Sequence, residues 1–221
     1  MKNILFDLYG TLIDIHTDEE CIEFWNAFAR KTKKYKEYSP TLLRNEYLKI
    51  CHEFGKEKEE IEILDVFEKL YNVSRSDAEV IAVIFRRLST DYIKLYPYVK
   101  KMLRTLKNTE NKIFLLSNAQ NAFTIPELKK LGIINYFDGI AISSDYGIKK
   151  PNKEFFIQAI RNFGISGEIW MVGNDYECDI KPAHELKLKT IFIKSNLTPS
   201  CEHGATIVGF DYKKILNILN K

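Results

Sequence analysis

Short apolar runs and amphipathic stretches take turns along most of this chain. Asn3–Phe6, Lys112–Leu116, Gly139–Ile142, Ile169–Val172 and Thr190–Ile193 are compact, largely apolar runs rich in β-branched and aromatic residues. None alternates strictly between apolar and polar, as expected of strands covered on both faces. Between them, apolar residues recur at helical spacing. Val99, Met102, Leu103 and Leu106 share one face, and Phe155, Phe156, Ala159, Ile160 and Phe163 share another, with Gly164 as the stop. Ile215, Leu216, Ile218 and Leu219 mark a further helix near the C-terminus. Strand and helix in alternation predict βαβ units and hence an α/β fold on a parallel sheet.

From about Asp14 to Ile93 the alternation stops. This stretch holds one glycine, Gly55, and one proline, Pro40, and no convincing strand. It carries four helical stripes instead: Ile22, Trp25, Phe28 and Ala29; Leu42, Leu43, Tyr47 and Ile50; Ile63, Val66, Phe67 and Leu70; and Val80, Ile81, Ile84, Phe85 and Leu88. Stripes separated by polar turns predict an antiparallel helical bundle inserted after the first strand. The expected division is a core of residues 1–14 and 94–221 and a helical domain of residues 15–93. No internal repeat or low-complexity tract interrupts it.

Composition narrows the function classes. The 221 residues are 45% hydrophobic and 29% charged, ordinary globular usage. The net charge of +3 gives no argument for nucleic acid, and the basic run Arg30–Lys36 reads as a solvated helix face. Cys21, Cys51, Cys178 and Cys201 form no CxxC pair, and His16, His52, His184 and His203 show no ligand spacing. Scattered thiols fit a reducing cytoplasm. No apolar run approaches the roughly 18 residues of a membrane span. The apolar N-terminus is broken by Asp7 and reads as a buried strand rather than a signal peptide.

Candidate chemistry gathers where the strands end, which in open parallel sheets is the ligand-binding rim. The first strand delivers Asp7-Leu8-Tyr9-Gly10-Thr11 and the second Ser117-Asn118; Lys149-Lys150-Pro151 follows the third; the fourth delivers Gly173-Asn174-Asp175, with Asp179 just beyond. Each has an ordinary reading on its own. Asp7 and Thr11 suit turns and caps, Ser117-Asn118 a turn, Lys150 a surface charge, and Asp175 and Asp179 the first turn of a helix. Together, four successive strand ends carry the carboxylates, hydroxyls and lysine that one site needs.

These segments resemble the motifs of the haloacid dehalogenase-like superfamily. FDLYGTLID is similar to its hydrophobic strand followed by DxxGT, FLLSN to its second motif, GIKKPNKEFF to its third, and MVGNDYECDI to its fourth. LYPYVKKMLRTLK resembles the return to the core after an inserted helical cap. The resemblance implies a Rossmann-like core with residues 15–93 as cap. It implies that Asp7 is the nucleophile, that Thr11 and Ser117 donate hydrogen bonds to the transferring group with backbone N–H groups of the first loop and of Asn118 assisting, and that Lys150 holds Asp7 and offsets negative charge. A carboxylate nucleophile splits one difficult hydrolysis into two steps through a covalent intermediate. The resemblance also implies Mg²⁺, held by Asp7, the main-chain carbonyl of Tyr9 and an acid of the fourth motif, with Asn174, Asp175 and Asp179 as candidates. Mg²⁺ accepts such a small set of oxygens with several waters.

Two departures leave the chemistry open. Phosphatases of the superfamily carry a second Asp where this chain has Tyr9, and a phenol with pKa about 10 is a poor general base at neutral pH. An Asp at position 9 is therefore expected to raise turnover. Tyr is what the dehalogenases carry, and a halide leaves without a proton. Against that, Asn174 replaces the usual first Asp of the fourth motif, while Asp175 and Asp179 remain. With Asp7 they make three carboxylates that would repel one another without a cation. No cap arginine matches the dehalogenase carboxylate binder, although Arg30 and Arg44 are candidates. The readings are a Mg²⁺-dependent phosphatase of a small phosphorylated metabolite, a metal-independent 2-haloacid dehalogenase, and a ligand-binding member with little turnover. The aromatic set Trp25, Phe28, Tyr35 and Tyr47 is read as bundle core that could also help select the substrate.

Overall fold

The computed structural model describes residues 1–219. The chain opens with strand β1 (Asn3–Phe6) and a short strand β2 (Ile13–Thr17). Helices α1 (Ile22–Thr32), α2 (Pro40–Gly55), α3 (Ile63–Tyr71) and α4 (Arg75–Ser89) follow, and β3 (Thr90–Leu95) closes this section. Helix and strand then alternate through α5 (Val99–Lys107), β4 (Lys112–Ser117), α6 (Asn121–Lys130), β5 (Gly139–Ile142), α7 (Ser143–Tyr146), α8 (Lys153–Asn162) and β6 (Ile169–Gly173). A π-helical turn (Tyr176–Ile180), α9 (Lys181–Glu185), β7 (Lys189–Lys194), β8 (Ile207–Val208) and α10 (Tyr212–Leu219) complete it.

β1 lies inside a six-stranded sheet of order β5-β4-β1-β6-β7-β8, and every pairing in it is parallel. Ile4 and Phe6 pack into one apolar layer with Met102, Leu103 and Leu106 of α5 and Ile215 of α10. Leu5 packs into the other, with Phe155, Phe156 and Ala159 of α8. Successive side chains of β1 thus enter two different cores, which is why its sequence shows no polar alternation. In register, Phe6 stands beside Leu115 of β4 and Val172 of β6, so the carboxyl ends of three strands finish together.

The section between β1 and α5 has its own core. Trp25, Phe28, Leu43, Val66, Phe67, Ile81 and Phe85 are buried together, and Phe123 of α6 joins them from outside the section. Ser39 and Ser74 cap α2 and α4 by accepting backbone N–H groups, with Pro40 at the first turn of α2. Three sequence expectations fail here. The section is not free of strands, because β2 and β3 pair antiparallel and span the expected boundaries near residues 14 and 94. Ile13, Ile15 and Thr17 alternate with Asp14 and His16, but so short a run is overshadowed by its helical flanks. Ile22, Leu42 and Val80 also lie outside the core, 50%, 48% and 46% exposed. The basic side chains from Arg30 to Lys36 are exposed, but they straddle the end of α1 rather than forming one helix face. Among the described residues, no helix is long and apolar enough to cross a membrane.

Candidate active site

The site begins where β1 stops. The Asp7 amide donates to the Val172 carbonyl at 2.9 Å, and the Leu8 carbonyl then accepts from the amides of Thr11, Leu12 and Ile13. This closes a tight loop that turns the Thr11 hydroxyl back onto Asp7 Oδ2 at 2.9 Å. Gly10 has φ +81°, and a Cβ there would fall 2.2 Å from the Asn174 amide, so only glycine lets the two loops meet. Gly173 has the same duty for the next carboxylate, since a Cβ would sit 2.3 Å from Asp179 Oδ2.

Lys150 joins the loops electrostatically. Its fully buried ammonium lies 2.7 Å from Asp7 Oδ1 and 2.6 Å from Asp179 Oδ1. Burial alone would lower its pKa, but Asp179 and then Asp7 outweigh that and hold it above the ordinary lysine value. Burial is also the main influence on Asp179; the Lys150 charge opposes it and Asp7 reinforces it, leaving Asp179 above the ordinary aspartate value. The three carboxylates therefore do not face one another bare, because a lysine bridges two of them.

The remaining predicted residues are placed as follows. The Asn118 amide is committed to the main chain of Lys150, donating to its carbonyl and accepting from its N–H, both at 2.8 Å. It positions the lysine, while the contact expected of Asn118 is through its main-chain N–H, which this side-chain pairing leaves untouched. The Ser117 hydroxyl is buried and finds no hydrogen-bond partner. An orphaned buried hydroxyl is uncommon and calls for a reason, such as a ligand it awaits. Asn174 Oδ1 lies 3.1 Å from the Thr11 hydroxyl. Asp175 caps the π-helical turn by accepting from the Cys178 amide at 2.9 Å, so the capping reading holds for one of its oxygens. Asp179 is engaged at both oxygens, the second accepting from the Asp175 amide at 3.0 Å.

Among the described residues, no three His, Cys, Asp or Glu side chains converge as a ready-made metal cage. The donors do fit a cation bound mainly by oxygens and waters. Asp7 keeps unused lone pairs. The Tyr9 main-chain carbonyl accepts no hydrogen bond among the described residues. Asp175, with Asn174 beside it, borders the same cavity of about 190 Å³ as Asp7, Tyr9 and Lys150. One lysine against three carboxylates leaves this rim short of positive charge. Asp179, the most deeply buried of the expected ligands at 1% exposed, is the least available.

Tyr9 departs furthest from expectation. Its hydroxyl is committed to Glu127 Oε2 at 2.5 Å and meets the Thr124 hydroxyl at 3.1 Å. Burial first, then the Glu127 charge, pushes this phenol well above its ordinary value, so it is a donor and not a base. Tyr9 and Asn118 also border a second cavity of about 420 Å³, lined by Glu19, Tyr47, Glu60 and Arg86 among others. The arginine at this cavity is thus Arg86, whose Nε donates to Glu127 at 2.6 Å. The sequence candidates lie elsewhere: Arg30 is exposed, and Arg44 pairs with Glu20 at 2.6 Å. Arg86 and Glu127 were not foreseen, because a charged residue on an amphipathic helix ordinarily faces water. Trp25 and Phe28 are bundle core, Tyr35 packs partly buried beside it, and only Tyr47 of that set also reaches the cavity.

Comparison with known proteins agrees with this geometry. The haloacid dehalogenase-like hydrolase family matches residues 1–187. Over 221 residues, 100% of this chain and 96% of the other, the chain is 30% identical to "Putative pyrophosphatase PpaX" of Clostridium perfringens. It is 30% identical over 112 residues to glyceraldehyde 3-phosphate phosphatase of Methanocaldococcus jannaschii, a match covering 50% of this chain and 49% of that protein. Against several such relatives, the chain spans only about half of their length. Its fold is similar to that of the crystal structure of 2-haloacid dehalogenase from Pseudomonas syringae pv. Tomato DC3000. The TM-score is 0.68 at 18% identity, over 100% of this chain and 98% of that one. With Asp7, Thr11, Lys150 and Asp179 joined at the strand ends and the family matched across the core, the chain belongs to the haloacid dehalogenase-like hydrolases.

Proposed function

We propose that this protein is a Mg²⁺-dependent phosphatase of a small phosphorylated metabolite, acting through a covalent intermediate on Asp7. The observation that carries the reading is the Asp7 carboxylate, held between Lys150 and Thr11 at the end of β1. The orphaned Ser117 hydroxyl at the end of β4 supports it. An Asp7 oxygen attacks phosphorus, forming one P–O bond as the bond to the leaving oxygen breaks; water then cleaves the acyl phosphate and restores Asp7. Lys150 orients Asp7 and offsets charge growing on the phosphoryl group. Ser117 is the hydroxyl donor for that group, while the Thr11 hydroxyl stays on Asp7 and orients it.

Mg²⁺ would be held by Asp7, the Tyr9 carbonyl and Asp175 or Asn174, where it supplies further positive charge for the phosphoryl oxygens. The charge balance of the rim favours it, since an arriving phosphate adds negative charge to three carboxylates and one lysine. The cavity beside Tyr9 offers about 420 Å³ for the rest of a small substrate. The relatives named as phosphatases support this class of substrate. Four free thiols support the expectation of a reducing cytoplasm.

Tyr9 favours a second reading, metal-independent dehalogenation of a 2-haloacid, because its phenol offers no carboxylate to protonate a leaving alcohol. A third, ligand binding without turnover, would leave the same pocket intact. One assay separates them: an aryl phosphate and a 2-haloacid, each with Mg²⁺ and with chelator. Phosphate release that chelator abolishes is the expected result. Halide release would overturn it in favour of the second reading, and no release of either in favour of the third.

A further inference from the structure

The buried carboxylate of Glu127 is shared by two parts of the molecule that must cooperate if Asp7 is the nucleophile. One oxygen accepts from the Tyr9 hydroxyl at 2.5 Å, and Tyr9 is two residues from Asp7 in the loop after β1. The other oxygen accepts from Arg86 Nε at 2.6 Å, and Arg86 belongs to α4 of the helical section. Glu127 itself sits on α6, beside the sheet. The ion pair is well buried, the Arg86 and Glu127 side chains being 19% and 9% exposed. The guanidinium also lies 5.8 Å from the centre of the Tyr9 ring and 5.1 Å from that of Phe123. Thr124, one turn before Glu127, adds its hydroxyl at 3.1 Å from the Tyr9 oxygen.

A buried carboxylate that loses one donor keeps its desolvation cost and is no longer fixed in place for the donor that remains. Its two strong donors are therefore coupled even though they sit on different elements. When Arg86 is seated, Glu127 is charge-balanced and held in the place where the Tyr9 hydroxyl meets it. When Arg86 withdraws, Glu127 is free to swing away, and the Tyr9 end of the nucleophile loop loses its anchor.

We propose that Tyr9 is a positioning residue that makes the order of the Asp7 loop depend on the seating of the helical section, through Glu127 and Arg86. This deepens the phosphatase reading and rests on Asp7 being its nucleophile. It gives Tyr9 a role other than acid–base chemistry and explains why a tyrosine, long enough to reach α6, serves where a short carboxylate would not.

The test is a double-mutant cycle of Tyr9→Phe and Arg86→Met, with Arg86→Lys as the conservative variant. Two quantities are read: steady-state hydrolysis of an aryl phosphate, and amide hydrogen exchange of the segment 5–13. Each single variant is expected to lower kcat by roughly 5–30-fold with KM within about 2-fold, since coupling of this kind is typically modest. The double variant is expected to lose no more than the worse single one, and Arg86→Lys to recover part of the loss. Arg86→Met should speed exchange in the loop when Tyr9 is present and add nothing once it is Phe. Additive losses in kcat, or loop exchange that ignores Arg86→Met, would overturn the proposal. Should the natural protein release no phosphate, the phosphatase reading fails, and the exchange arm still decides whether the coupling exists. Tyr9→Phe removes a single oxygen, so it guards against a result that merely reports misfolding.

Discussion

The rim that holds Asp7 and the core of the helical section are both buried, yet they resist change in opposite ways. In the helical section, the Phe85 ring lies 5.0–6.3 Å from the rings of Phe24, Trp25, Phe28, Tyr47 and Phe67. Aromatic packing of this kind is strong but weakly directional, and a substitute of similar volume finds another fit. At the rim, Lys150 stands 2.7 Å and 2.6 Å from two carboxylates, and Gly10 and Gly173 leave room for nothing larger. There the charges, not the volume, must match. The first region tolerates repacking and the second does not, because a misplaced buried charge costs far more than a small void.

That contrast can be broken most sharply at Asp7. Asp7→Asn keeps the shape of the side chain and removes its negative charge. Turnover of an aryl phosphate is expected to fall by roughly 10⁴-fold or more while the fold persists, as when a nucleophile is removed elsewhere. Circular dichroism and kinetics on the same sample check it. A folded Asp7→Asn variant with full activity would end the covalent mechanism.

Lys150→Met is the largest expected blow to stability. It leaves Asp7 and Asp179 buried without their shared cation, a loss of about 3–5 kcal/mol near pH 8. Its pH dependence has a definite sign. Asp179 already lies above its ordinary value because of burial, with Lys150 opposing and Asp7 adding to the effect. A carboxyl raised in the folded state favours folding when protonated. That contribution is complete below the unfolded value and is lost as pH rises through the folded one. Removing the Lys150 charge raises Asp179 further, so the variant should recover stability between pH 8 and pH 5. Urea denaturation at both values measures this, and an equal deficit at each would contradict it.

Gly173→Ala tests fit at the rim without changing charge. The new methyl would meet Asp179 at 2.3–2.5 Å, so the carboxylate must move away from Lys150. A loss of about 1–3 kcal/mol, the usual range for overpacking, should accompany a clear fall in turnover. Phe28→Leu is the counterpart in the helical section and the smallest effect. Phe28 is fully buried but borders neither cavity. A loss of about 1 kcal/mol with unchanged kcat is expected. A large kcat effect there would mean that the two regions are less independent than their packing suggests.

The strands that build the sheet were legible because a strand covered on both faces is a short apolar run in any context. β1 matches its expected limits, Asn3–Phe6, and β4, β5, β6 and β7 lie within one residue of theirs. The ribbon of β2 and β3 and the short strand β8 were missed, as was α6, which carries Pro126 in its interior. Each is held by partners distant in the chain rather than by its own pattern. The meeting of Asp7, Thr11, Lys150 and Asp179 was foreseen as a group. That Lys150 holds Asp7 was expected too, but that the same ammonium also holds Asp179 was not, because spacing along the chain carries no distances across a sheet.

By itself, then, the sequence determined the parallel α/β architecture, the helical section set into it, and the strand ends at which chemistry collects. These follow from periodicity and from local residue type. What only the tertiary structure decided is what each polar group faces. It gave the Asn118 side chain a clamp on Lys150 and set that one lysine between Asp7 and Asp179. It also showed what Tyr9→Asp would disturb. A carboxylate there would forfeit the bond to Glu127 and add a negative charge near it. Hydrogen bonds and buried charges act over a few ångströms between residues 29 to 143 positions apart, and that proximity exists only once the chain has folded.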